Sequence, residues 1–125
     1  MTLEEAIHDK LDAGVLLGKV FPKRAPELFA TPYVVYKRQA TSRMPNLTTQ
    51  GIYMATFEFY IVSSGYGDAI AKRDLIRSLF EDVTGVYATG APYIQATEIL
   101  NEDDTFEEKT DEYGAIIEIQ FTYNL

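Results

Sequence analysis

The densest group of reactive side chains is in NEDDTFEEKTDEY, residues 101–113, where Glu102, Asp103, Asp104, Glu107, Glu108, Asp111 and Glu112 accompany a single base, Lys109. Carboxylates at this density can hold a divalent cation, act as acid and base, or repel a polyanion. Counted from Asn101, the residues Asp103, Thr105, Glu107 and Glu112 occupy the third, fifth, seventh and twelfth positions of a calcium-binding loop. Phe106 stands where that loop needs glycine, and Lys109 sets a cation against a cation. The spacing is therefore no calcium signature, and no metal is assigned.

Other catalytic constellations are equally bare. His8 is the single histidine, three residues after Glu5, and reads as a helix-surface side chain. The absence of cysteine excludes thiol nucleophiles, disulfides and thiolate-held zinc. The turn SSGYGD, residues 63–68, lacks the glycine–serine–glycine spacing of a nucleophile elbow, and its glycines do not match a phosphate-binding loop. The residues give no catalytic site and no cofactor, and favour a structural or binding protein over an enzyme.

The elements that must carry the acidic stretch follow from periodicity. Thr2 and Glu5 have capping-box spacing, and Leu3, Ala6, Ile7 and Leu11 recur at helical intervals, which predicts a helix over 3–13 with Gly14 as its stop. Pro22, Pro26 and Pro32 mark the following stretch as a loop. Residues 32–39 predict a first strand and 52–62 a second, the latter with Tyr53, Ala55, Phe57, Phe59 and Ile61 on one face. Between them, residues 40–51 form a long polar connection in which Arg43, Met44 and Leu47 are candidates for contact with a neighbouring subunit. A helix begins near Asp68, places Ala69, Ile76, Leu79 and Phe80 inward and Lys72, Arg73 and Arg77 toward water, and closes at Gly85. Residues 91–100 and 115–123 supply the third and fourth strands, with the acidic stretch connecting them as a hairpin with a projecting tip. Tyr36 and Tyr60 are candidates for a partly wet interface on the less buried face.

The order helix, strand, strand, helix, strand, strand predicts an α+β two-layer sandwich: one four-stranded, mainly antiparallel sheet with two helices on one face, in a single domain spanning 1–125. Nineteen acids against eleven bases give a net charge of −8, of which −6 lies in residues 101–113. Such a chain does not grip nucleic-acid backbones. No apolar run reaches the roughly 18 residues of a membrane span, and the acidic, amphipathic N-terminus is unlike a signal peptide, so a soluble, unexported protein is expected.

In VFPKRAPELFATPYVVYKRQ, residues 20–39, and ATFEFYIVSSGYGDAIAKRDLIRSLFED, residues 55–82, the chain resembles the tail-completion, or head-to-tail joining, proteins of long-tailed bacteriophages and prophages, which include the tail terminators. The resemblance covers about residues 3–84, through the short first helix, the apolar pair before Pro22, the PYVVYKR strand, the aromatic strand and the helix entered through GYGDA. It implies a non-enzymatic virion component without cofactor that forms a ring, usually hexameric, on the head-proximal end of the tail tube. Its partners would be itself, the tail-tube protein and the head connector, with DNA as passing cargo and no membrane. It would be assembled in the bacterial host cytoplasm and reside in the virion tail. On this reading Glu102, Asp103, Asp104, Glu107, Glu108, Asp111 and Glu112 face the channel or its rim, where an acidic wall repels phosphates. The basic group Lys19, Lys23, Arg24, Lys37 and Arg38 would meet acids of the next subunit, a role open to the acidic stretch itself in place of the channel. A different class stands beside this one: a small acidic ligand-binding or enzymatic domain of ferredoxin-like type.

Overall fold

A computed structural model of the chain describes residues 2–14, 20–22, 31–43, 51–108 and 111–124. The first helix, α1 (Leu3–Gly14), starts at a realised capping box: the Glu5 N–H donates to Thr2 Oγ1 at 3.2 Å and the Thr2 N–H to Glu5 Oε1 at 3.2 Å. These bonds from Thr2 hold the Glu5 carboxyl below the ordinary carboxylate range. Leu3, Ala6, Ile7 and Leu11 are buried, as their spacing requires.

Six strands and one further helix follow: β1 (Val20–Pro22), β2 (Tyr33–Arg43), β3 (Ile52–Ser63), α2 (Tyr66–Phe80), β4 (Gly85–Val86), β5 (Tyr93–Glu107) and β6 (Glu112–Asn124). They form one sheet in the order β1-β2-β3-β6-β5-β4, in which β1 runs parallel to β2 and every other neighbour is antiparallel. The expected four-stranded antiparallel two-layer sandwich is therefore incorrect: the sheet is six-stranded, mixed and curled into a half-barrel, with two helices. Two causes separate expectation from fold. Val20–Pro22 and Gly85–Val86 are too short for any periodicity and are strands only because β2 and β5 pair with them. Register shifts between Arg38 and Ala40, Ile94 and Ala96, and Ile99 and Asn101 add local twist, which coils a sheet that would otherwise lie open.

Alternation decides which face is buried. Ala55, Phe57, Phe59 and Ile61 of β3 and Ala115, Ile117, Ile119, Phe121 and Tyr123 of β6 lie in one core cluster with Leu3, Ile7 and Leu11 of α1 and Ala69, Ile76 and Phe80 of α2. Phe80 is its hub. It stacks on Phe59 at 5.5 Å and meets Phe121 edge-on at 5.3 Å, while Phe121 meets Phe57 edge-on at 5.7 Å. Tyr87 closes the cluster 5.8 Å from Phe80, donating its hydroxyl to the Val83 carbonyl at 2.8 Å, and burial pushes its phenol well above the ordinary value. Tyr36, expected on the wetter face, is buried on this one.

α2 is entered through a polar joint built on the buried Ser63. Ser63, at the end of β3, donates its hydroxyl to Asp68 Oδ2 at 2.7 Å and accepts the Gly65 N–H at 3.2 Å, and Lys72 Nζ lies 2.6 Å from Asp68 Oδ1. Lys72 and then Ser63 hold the Asp68 carboxyl below its ordinary value. The helix ends at Phe80, earlier than the expected stop at Gly85; Asp82 takes a positive φ of 57° and Gly85 belongs to β4.

Phe80→Ala should lower unfolding free energy by about 3–5 kcal/mol, read as a shift in denaturant midpoint at unchanged slope. Asp68→Asn should cost roughly 0.5 kcal/mol near neutrality. Because the folded carboxyl is depressed, that deficit should be complete above the unfolded-state carboxylate pKa, near 4, and vanish as pH falls through the lower folded value. Thermal melts of both proteins across pH 2–7 check this.

Candidate functional site

The acidic stretch is a docked hairpin rather than a loose loop. β5 continues to Glu107 and β6 begins at Glu112, which pair directly across the ladder, with Glu108 and Asp111 in the intervening turn. Asp111 adopts a positive φ of 56° there. Strand pleating then divides the seven acids by face. Glu102 opposes Ile117 and Asp104 opposes Ala115, both inward residues of β6, so these two carboxylates share a face with α2. Asp103 opposes Ile116 and lies on the other face.

α2 meets this strand with cations. Arg77 pairs with Glu102 and lies within 3.6 Å of Asp74 and 3.8 Å of Glu81. Arg73 donates to the Asp103 carbonyl at 2.9 Å. Tyr66 donates its hydroxyl to Asp104 Oδ2 at 3.1 Å, and that bond and the Asp104 charge raise its phenol. Arg73 and Arg77, expected to face water, instead hold the acidic strand against the helix. Of the seven predicted acids, Glu102 and Asp104 are engaged in this way, and Asp103 accepts the Asp104 N–H at 2.8 Å. Glu107, Glu108, Asp111 and Glu112 form the tip.

Aromatic contacts stiffen the same hairpin. Phe106 and Tyr113 approach to 4.7 Å across the strands, and Tyr66 meets Tyr113 at 5.6 Å. On the opposite face Tyr60 Oη lies 3.3 Å from Thr105 Oγ1, over Gly114. A Cβ at Gly114 would lie 2.5 Å from both of those oxygens, so the residue is glycine because two side chains close over it. A cleft of about 290 Å3 near the tip is lined by Tyr33, Tyr60, Val62, Glu107, Glu112 and Tyr113. Burial, with Glu112 and Tyr60 nearby, raises the Tyr33 phenol.

The other predicted residues are spread out. Arg43 ends β2, opposite Tyr53, while Met44 and Leu47 lie outside the described residues, as do Lys19, Lys23 and Arg24. Residues 40–43, expected in the connecting loop, belong to β2. Arg38 works inside the chain: it pairs with Glu4 at 2.7 Å, donates to Thr41 Oγ1 at 2.8 Å and to Tyr123 Oη at 3.3 Å, and lies over the Phe57 ring at 5.3 Å. Lys37 is exposed. His8 is half-buried, its ring 5.8 Å from Tyr36, in a cleft of about 320 Å3 shared with Glu4, Glu5 and Asp9. Among the described residues no group of three or more His, Asp or Glu is arranged to hold a metal ion, and no helix is long and apolar enough to cross a membrane. Sequence reading missed the helix-to-strand pairing, although bases four apart in α2 and acids two apart in β5 are the spacings that align a helix edge with one strand face.

No protein-family model and no curated protein matches the sequence. Among solved structures, the fold is similar to a chain in the "Virion of native gene transfer agent (GTA) particle", with a TM-score of 0.71 over 98% of this chain and 95% of that one, at 15% identity. The likeness shows a shared fold.

Gly114→Ala should destabilise the protein by about 1–3 kcal/mol through overpacking, measured by denaturant titration. Arg77→Ala and Glu102→Gln should each cost about 1 kcal/mol or less, with a double-mutant cycle showing coupling that shrinks at high salt.

Proposed function

We infer that the chain is a structural component of a phage-like virion, acting by binding rather than catalysis. The observation that carries this reading is the end-to-end similarity of fold to a chain of a gene transfer agent virion, with almost no residue of either chain left over. More finely, it is a single-domain protein that caps the head-proximal end of the tail tube as a ring, meets the head connector there, and leaves an opening for DNA. The tail-completion pattern of the sequence supports that placement, and so does the uneven charge. Because Glu102 and Asp104 are bound to α2, the acids offered to a channel or its rim reduce to Asp103 and the four at the tip, Glu107, Glu108, Asp111 and Glu112. Such a tip repels phosphates and withholds the counterion-releasing contacts that make DNA stick.

Deleting the coding sequence from its source particle and imaging the products by electron microscopy tests the role. Overlong or headless tails beside DNA-filled heads are expected; normal infectious particles would remove the reading. Replacing Glu107, Glu108, Asp111 and Glu112 with their amides should leave particle yield unchanged and reduce DNA delivery. Undiminished delivery from such particles would remove the channel role alone.

A further inference from the structure

The two long outer strands of this sheet carry opposite charge along edges that their short neighbours leave mostly open. β1 pairs with β2 only from Val34 to Tyr36, and among the described residues nothing pairs with that edge from Lys37 to Arg43. This segment holds Lys37, Arg38 and Arg43 and no acid. At the other end of the sheet β4 pairs with β5 only at Tyr93 and Ile94. The remainder of β5 holds Glu98, Glu102, Asp103, Asp104 and Glu107 and no base. Unpaired edges of this length are templates for another strand unless something opposes it. Here like edges repel like, and unlike edges attract.

We propose that a second copy of this chain docks edge to edge, the basic β2 edge of one copy adding antiparallel to the acidic β5 edge of the next. Strand direction permits it. β2, β3, β6 and β5 alternate, so the first and last of these four strands point in opposite directions. A second copy rotated about an axis along the strands therefore presents β2 antiparallel to β5 without being inverted. Height along the strands adds a condition. Through the ladders Tyr33 is level with Thr105 and Arg43 with Ile94, so β1 covers the low end of β2 while β4 covers the high end of β5. The open segments overlap fully only if the next copy slides along the strand direction. That displacement is the stagger a curled sheet needs to close on itself. The contact is head-to-tail, so it repeats, and a repeating contact with rotation builds a ring. Arg38 is already held by Glu4 and Tyr123, and Glu102 by Arg77, so Lys37 on one side and Glu98 and Asp103 on the other carry the attraction. Arg73 already occupies the Asp103 carbonyl, which limits the backbone pairing near that residue to what the helix leaves open.

The contact deepens the ring proposed above, and its test is separate from that of the virion role. The chain has no cysteine, so introduced thiols report without background. Gln39→Cys combined in turn with Ala96→Cys, Asn101→Cys and Thr105→Cys places one thiol on each edge; the full-length variants are concentrated, oxidised and run without reductant, with sizing of the unoxidised protein alongside. Expected is a ladder of disulfide-linked species from at least one pair, lost at high salt and lost on adding Lys37→Glu. Each single variant should give nothing larger than a dimer and little of that. Strong dimers from single variants would mean that like edges pair, and would overturn the proposal. So would oligomers on sizing without a ladder from any pair, or a protein monomeric at every concentration. None of these results touches the virion role, which the deletion experiment decides by itself.

Discussion

The antiparallel ladder between β3 and β6, continuous from Ile52 opposite Asn124 to Ser63 opposite Tyr113, is the constraint on which the other contacts depend. Its register sets Ala55, Phe57, Phe59 and Ile61 beside Phe121, Ile119, Ile117 and Ala115, so both strands turn their apolar sets to the same side. A slip of one residue would send either set to the opposite face. Phe80 can act as the hub of the core only because Phe59 and Phe121 are presented together. β2 and β5 then add to the outer sides of a pair that is already specified.

The same ladder positions α2, whose two sides do different work. One side buries Ala69, Ile76 and Phe80; the flank next to it carries Arg73 and Arg77 to the acidic strand. A strand with three acids in a row from Glu102 to Asp104 is a poor candidate for regular structure by propensity. It forms because β6 supplies a partner, the helix supplies positive charge, and Tyr60, Thr105 and Gly114 lock the opposite face. The hairpin is thus charged and ordered at once.

These facts explain which parts of the molecule could be read from the chain. Strong alternation made β3 and β6 legible with their inward residues, and the capping box with its periodic followers made α1 legible. Lone short segments such as Val20–Pro22 and Gly85–Val86 have no local signal, because their strand character belongs to the neighbour that pairs with them. The length of β5 was hidden by composition: acidic residues read as a loop, and what overrules them lies about 30 residues earlier in α2. The acids of the candidate site could be named from sequence. Their division into a helix-bound group and a tip could not, since it depends on the pleat and on where α2 lies. Arg38 shows the reverse error, a cation assigned outward that is consumed by Glu4 and Tyr123.

The pairing of Arg73 and Arg77 with the middle of β5 also shapes how the molecule is felt at a distance. With that part of the strand held by the helix, the carboxylates of Glu107, Glu108, Asp111 and Glu112 gather at the hairpin turn, at the other end of the sheet from Arg43. Acids gathered at one end of the sheet contribute an electric dipole along the strands, and a dipole turns in the field of a charged surface before any atom touches. Against an assembling structure with a charged rim, the molecule would arrive already oriented, and the fraction of collisions that succeed would fall as salt shortens the range of that torque.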